Sequence, residues 1–345
     1  MDNPKNGNGD PIRPGLKWGL LKNKSHYNLN TEILMKIMTP REGIRLILMA
    51  LCAAHAFHFS VSAGEVIPLY PVAIPNSIPH SVEEILEERD GQFSGYKGAT
   101  DPTLEIVLPG NTNGLTAAVV ICPGGGYVRQ VYRKEGTEIA KVYIAHGIAA
   151  FILKYRIPND LTMADKSIGA LQDAQQAIKL VRQNAAKWNV DPAKIGIMGF
   201  SAGGHVASTA ATHFKKAYIP NPEKTSLRPD FAILVYPVVS MRDGITHTGS
   251  KKNLLGENPD PHLETLFSNE MQVDDDTPTT WLTHAGDDKA VPVANSIGFY
   301  QALIEHGIPA EMHLYPEGGH GFVLKDPAEK WMAGIFDWMK RSEIK

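Results

Sequence analysis

Gly199-Phe200-Ser201-Ala202-Gly203 sets a serine between small residues at the G-x-S-x-G spacing. Three fixed positions, each near 7% in frequency, match by chance about 0.1 times in a chain of this length. The flanks sharpen the signal. An apolar run, Ile195–Phe200, leads in, and the small residues Ala202–Ala207 lead out. Strand, sharp turn and helix start in that order strain the turn and expose the serine hydroxyl. A tight turn without chemistry would give the same pentapeptide. A hydroxyl is a weak nucleophile near neutral pH, so the chemical reading needs a base within hydrogen-bond reach and a carboxylate to orient that base.

Both follow in the chain order Ser, Asp, His. After the run Thr280–His284 comes Ala285-Gly-Asp-Asp-Lys-Ala-Val-Pro292, and Asp288 is the expected orienting acid. Asp287 is the alternative, or else a turn or helix-cap carboxylate. After Glu311–Tyr315 comes Pro316-Glu-Gly-Gly-His-Gly-Phe322. A histidine between glycines on a loop is not a core residue, so His320 is the expected base.

Acyl transfer also needs donors aimed at the developing oxyanion. Pro123-Gly-Gly-Gly-Tyr127 follows the apolar run Ala117–Cys122 and lets backbone N–H groups approach closely. Gly125 and Gly126, with Ala202 after the nucleophile, are the expected oxyanion donors. Tyr127 and His205 are expected to contact substrate, with core packing the alternative for His205. No Gly-Lys-Ser/Thr follows the glycines, which excludes a phosphate loop, and G-x-G-x-x-G is absent here. No H-E-x-x-H or paired Cys/His spacing points to a metal. His284, His146, His306 and His313 read as structural.

These loops need a frame. Ala117–Cys122, Ala149–Tyr155, Ile195–Phe200, Phe231–Tyr236, Thr280–His284 and Glu311–Tyr315 are apolar runs of the kind buried on both faces of a parallel sheet. Leu171, Ala174, Ile178, Val181 and Ala185 form one helical stripe. Thr137–His146 and Ala294–His306 read as helices, each ended by a glycine. The alternation predicts an α/β chain with a mostly parallel central sheet and helices on both faces. Residues 64–80 are too proline-rich for a helix and read as an extended arm. Residues 237–274 break the rhythm and read as an excursion or minimal lid.

The 345 residues carry a net charge of −3, with 43% hydrophobic and 21% charged residues. That composition fits a globular fold and shows no nucleic-acid footprint. Residues 38–63 read as a signal peptide: Met38–Arg45 is basic, Leu46–Ala54 is apolar but too short to span a bilayer, and small residues follow at cleavage spacing. Leu51 before Cys52 argues against lipidation. Polar residues 1–37 read as a non-native N-terminal extension, and 64–345 as one catalytic domain. Residues 1–63 hold eight Lys/Arg and four Asp/Glu, so without them the net charge moves from −3 to −7. Cys122 is then the single cysteine, which leaves no intrachain disulfide.

Over roughly residues 100–340 the chain resembles the α/β-hydrolase superfamily, in the branch of bacterial secreted acetylxylan-esterase-like and feruloyl-esterase-like carbohydrate esterases. The resemblance rests on Cys122–Tyr127, Lys154–Pro158, Leu171–Ala174, Gly199–His205, Asn253–Gly256, Asp288–Pro292 and Gly319–Phe322. Hormone-sensitive-lipase-like relatives carry histidine where this chain has Pro123. The resemblance implies an α/β-hydrolase fold, a triad at Ser201, Asp288 and His320, and no cofactor. The expected activity is serine carboxylic-ester hydrolysis, with polysaccharide deacetylation as the expected task, on a small-molecule or polysaccharide ester. No stable membrane anchor is expected after signal cleavage, and the expected location is secreted or periplasmic. A prolyl-oligopeptidase-like peptidase and an inactive binding protein are the alternatives.

Overall fold

The computed structural model describes residues 64–110 and 112–345, so the expected extension and signal peptide lie outside the described residues. In chain order the strands are β1 Glu65–Pro68, β2 Ile85–Arg89, β3 Gln92–Lys97, β4 Thr103–Val107, β5 Thr116–Cys122 and β6 Arg129–Gln130. They continue as β7 Ala149–Lys154, β8 Val190–Phe200, β9 Phe231–Val235, β10 Thr279–Ala285 and β11 Ala310–Tyr315. The main sheet runs β1-β4-β7-β5-β8-β9-β10-β11. Its six strands from β7 to β11 are parallel, and β4 and β1 add an antiparallel edge.

Five of the six apolar runs became interior strands because both faces are covered; the sixth, Glu311–Tyr315, became the edge strand β11, whose residues are half-buried to exposed. Ala118, Val120, Phe151, Leu153, Ile197 and Leu234 share one core layer with the helices α2 Lys166–Gln183, α3 Ser201–Thr212 and α6 Ala294–Glu305. Their neighbours Val119, Ile121, Ile152, Met198 and Ile233 share the opposite layer with α1 Glu138–Ala145 and α7 Ala328–Arg341. This is the period-2 alternation of strand side chains. Between them, α4 Thr248–Leu255 and α5 Pro261–Leu266 occupy the region expected as an excursion.

Three features lie beyond the sequence expectations. The extended arm pairs as β1 on β4. β2, β3 and β6 form a separate small antiparallel sheet. The expected helix at Thr137 is preceded by a π turn, Arg133–Thr137.

Arg156, just past β7, and Asp173, on α2, form a buried ion pair at 2.8 Å, with side chains 1% and 0% exposed. Arg156 also donates to Pro75 O, and Tyr70 O–H donates to Asp173 Oδ1. The pair therefore fastens the N-terminal arm to the sheet and to α2.

The register places the site. After β5 the chain moves one way across the sheet, to β7, and after β8 the other way, to β9. Such a switch point leaves a crevice at the carboxyl ends of the strands. Cys122 pairs with Gly199, so the glycine loop and Ser201 leave the sheet side by side. Ala285 pairs with Tyr315, which brings the loops carrying Asp288 and His320 out at one level.

Candidate active site

Ser201 opens α3 with φ +51°, the left-handed region that a serine occupies only under constraint. Its flanking glycines are fixed by close approach. A Cβ at Gly199 would overlap the carbonyl oxygen of Gly203, and one at Gly203 would overlap that of Cys122.

The structure brings Ser201, His320 and Asp288 into one hydrogen-bonded row. His320 Nε2 lies 2.8 Å from Ser201 Oγ, and His320 Nδ1 lies 2.7 Å from Asp288 Oδ2. Asp288 Oδ1 accepts the N–H groups of Ala290 and Val291, each at 2.9 Å. From β10, His284 Nε2 stands 3.3 Å from Asp288 Oδ2. Burial opposes ionisation of Asp288, but the bonds from His284, His320 and Val291 outweigh it and hold the carboxyl well below the usual carboxylate range. An ionised Asp288 takes the Nδ1–H of His320, which leaves Nε2 free to accept the Ser201 hydroxyl proton. The runner-up, Asp287, is exposed and accepts Gly319 N–H at 2.8 Å. It holds the loop that carries His320, not the imidazole.

The glycine loop is tethered along its length. Tyr155 O–H donates to Pro123 O at 2.6 Å, Gly124 N–H donates to Glu135 Oε2 at 2.6 Å, and Asn253 Nδ2 donates to Gly126 O at 2.8 Å. Val128 and Arg129 N–H groups close onto Gly125 O. Gly125 (φ +136°) and Gly126 (φ +65°) take backbone angles that side chains disfavour, and among the described residues their N–H groups have no acceptor. Ala202 lies in the first turn of α3, where N–H groups have no intrahelical acceptor.

Tyr127 and His205, expected to contact substrate, are instead buried at 2% and 1% exposure. Tyr127 O–H donates to His205 Nδ1 at 2.8 Å, and His205 Nε2–H donates to Phe267 O at 2.8 Å. Burial pushes the imidazole pKa down to about 4, so it stays neutral. The pair ties the glycine loop to α3 and to the segment after α5. The core alternative for His205 is what the structure shows, and Tyr127 follows it because its aromatic ring finds its hydroxyl partner inside.

Three neighbours escaped the sequence reading. Glu135 is buried beneath the glycine loop. His247 caps α4, accepting Ser250 N–H on Nδ1, and its ring edge approaches Gly126. Burial and then the neighbouring His320 lower its pKa. Asn253 belongs to one of the segments that carried the resemblance, but only the fold shows that it reaches Gly126. No candidate metal cluster of His, Cys, Asp and Glu occurs among the described residues.

Comparison with known proteins gives a consistent picture. The BD-FAE family matches residues 104–303. An endo-1,4-beta-xylanase B of Butyrivibrio fibrisolvens is 39% identical over 209 residues, 60% of this chain and 32% of that protein. An acetylxylan esterase of Xylanibacter ruminicola is 37% identical over 219 residues, 62% of this chain and 42% of that protein. The chain thus spans less than half the length of these two relatives. The crystal structure of an acetyl ester-xyloside bifunctional hydrolase from Caldicellulosiruptor lactoaceticus matches 83% of this chain and 99% of its own, at 36% identity and a TM-score of 0.68. The matched span runs from β4 to α6 and holds the glycine loop, Ser201 and Asp288, and the structural match extends over most of the described fold. The chain belongs to the BD-FAE family, within the carbohydrate-esterase branch of the α/β-hydrolases.

Proposed function

We propose that the chain is a serine carboxylic-ester hydrolase that removes short acyl groups, chiefly acetyl, from polysaccharide. The observation that carries this reading is the Ser201–His320–Asp288 row, at 2.8 and 2.7 Å, beside Gly125 and Gly126, whose N–H groups have no acceptor among the described residues. Ser201 Oγ attacks the ester carbonyl carbon while His320 Nε2 takes its proton. The carbonyl oxygen becomes an oxyanion held by N–H groups from Gly125, Gly126 and Ala202. The tetrahedral species collapses, the C–O bond to the sugar breaks, and the imidazolium of His320 returns the proton to the leaving alkoxide. Water, deprotonated by His320, then cleaves the acyl-enzyme to release the acid and restore Ser201. Asp288 orients the imidazole and stabilises its charged form.

The acetyl-polysaccharide assignment draws on the family and on the names of its matched relatives. Work outside the cytoplasm is proposed from the signal-peptide pattern at 38–63, with 64–345 as the catalytic unit. N-terminal sequencing of exported protein tests the export proposal.

The full chain should hydrolyse p-nitrophenyl acetate and release acetate from acetylated xylan, and Ser201→Ala should abolish both. Undiminished activity in Ser201→Ala would sink the mechanism. Hydrolysis of the small ester with no acetate release across a panel of acetylated polysaccharides would sink the substrate assignment.

A further inference from the structure

We propose that Glu135 is a positioning residue for the reaction at Ser201: its carboxylate joins the glycine loop, through Gly124, to the aromatic wall of His320, through Tyr236. The inference rests on the ester-hydrolase reading above.

Two donors from different parts of the chain meet on this one side chain. Gly124 N–H reaches Oε2 at 2.6 Å, and Tyr236 O–H reaches Oε1 at 3.0 Å. Glu135 is 4% exposed. Each donor touches the chemistry on its other side. Gly124 is packed so tightly that an added Cβ would stand 2.9 Å from Ser201 Cβ. Tyr236, at φ +36° just past β9, lays its ring edge-on to the His320 imidazole with centroids 4.9 Å apart. The carboxylate therefore spans the distance between the loop of the oxyanion donors and the base.

The donor set fits the ionised form. A carboxylate offers acceptors to both N–H and O–H, whereas a protonated acid must place its own O–H against one of them. A buried carboxylate would also favour the imidazolium that His320 becomes during proton transfer. The groups facing it are Gly124 N–H from the glycine loop, Tyr236 after β9, His320 from the loop after β11 and Tyr155 after β7. Burial pushes the Glu135 pKa up to about 7, against the pull of Gly124, Tyr236 and His320. Its charge thus changes in the neutral range.

The test uses the full chain with p-nitrophenyl acetate from pH 5 to 9. Glu135→Gln keeps the size and one acceptor but removes the charge. It should lower kcat about tenfold or more with KM within about twofold, the pattern of a lost transition-state interaction. It should also move the acid limb of kcat/KM to lower pH, because His320 loses a negative neighbour. Tyr236→Phe leaves the Glu135 side chain in place and removes the link, so it should lower kcat. A merely structural role would lower thermal stability and leave the limb in place. Unchanged kcat and an unmoved limb in Glu135→Gln overturn the proposal. Should that variant fail to fold, Tyr236→Phe decides: full kcat overturns the link. If the wild-type chain hydrolyses no ester, the underlying reading falls, and NMR titration of His320 still judges the inference. A lower midpoint in Glu135→Gln supports it, and coincident midpoints overturn it.

Discussion

Asp288 Oδ2 stands 2.7 Å from His320 Nδ1, while Asp287, one residue earlier, reaches only Gly319 N–H of the same loop. Adjacent carboxylates thus have separable tasks. Asp288→Asn reverses the hydrogen bond that fixes the His320 tautomer and should lower kcat about 10⁴-fold with little change in KM. Asp287→Asn should keep activity within about tenfold, the scale of one hydrogen bond holding a loop. Steady-state kinetics on both variants check this, and the reverse ranking would make Asp287 the orienting acid.

That distinction marks how far the residues could be read in advance. Interior strands such as β5 and β9 were legible because burial on both faces leaves continuous apolar runs. Ser201, Asp288 and His320 stood out because they follow three apolar runs in the order Ser, Asp, His; each turn taken alone has an ordinary reading. Edge strand β1 and the small sheet were not legible, since half-exposed strands carry charged and polar residues such as Glu65, Glu87 and Arg89. Glu135 was hidden for another reason. It lies among the charged residues Arg133-Lys-Glu, ahead of the expected helix start at Thr137, and only the fold turns this one carboxylate inward. Tyr127 and His205 lie inside, since adjacency to a motif in sequence does not decide which way a ring points; core packing was already the open alternative for His205.

Asn253 Nδ2 donates to Gly126 O at 2.8 Å, and Gly126 N–H is a proposed oxyanion donor. Asn253→Ala frees one end of that peptide. One hydrogen bond is worth about 0.5–1.5 kcal/mol, so kcat should fall about 3- to 10-fold. KM for a small ester should hold, because the tether acts on the loop and not on bound substrate. A raised KM with full kcat would instead place Asn253 against the substrate.

Tyr127→Phe removes the donor to His205 Nδ1 and leaves Thr209 Oγ1 at 3.4 Å as the remaining neighbour. Urea unfolding should show a loss of about 1–3 kcal/mol, the cost of a buried acceptor left without a good partner. KM for p-nitrophenyl acetate should stay within twofold. A large rise in KM with unchanged stability would restore Tyr127 as a substrate contact.

Arg156→Met leaves the Asp173 carboxylate buried with Tyr70 O–H and the main-chain N–H of position 156 as its donors. Removing one partner of a buried ion pair costs about 3–5 kcal/mol, mainly because the other charge is stranded. The double variant Arg156→Met/Asp173→Leu should therefore lose less than the single one. Equal losses would show that Arg156 acts through its bonds to Pro75 and Gly169 carbonyls and not through the ion pair.

Glu135 also ties stability to pH in a direction opposite to that of Asp288. A carboxyl raised to about 7 in the fold keeps its proton in the native state after the unfolded chain has lost it. Between the ordinary glutamate value, about 4.3, and 7 the native state binds more protons, so stability falls as pH rises through that window and levels off above it. Glu135→Gln resembles the protonated acid at every pH. Its melting temperature should match wild type near pH 4.5 and exceed it at pH 8, while its kcat is lower. Higher stability joined to lower turnover is the mark of a buried charge retained for chemistry. A variant less stable than wild type at pH 8 would show instead that the ionised carboxylate is needed to hold Gly124 and Tyr236 in the folded state.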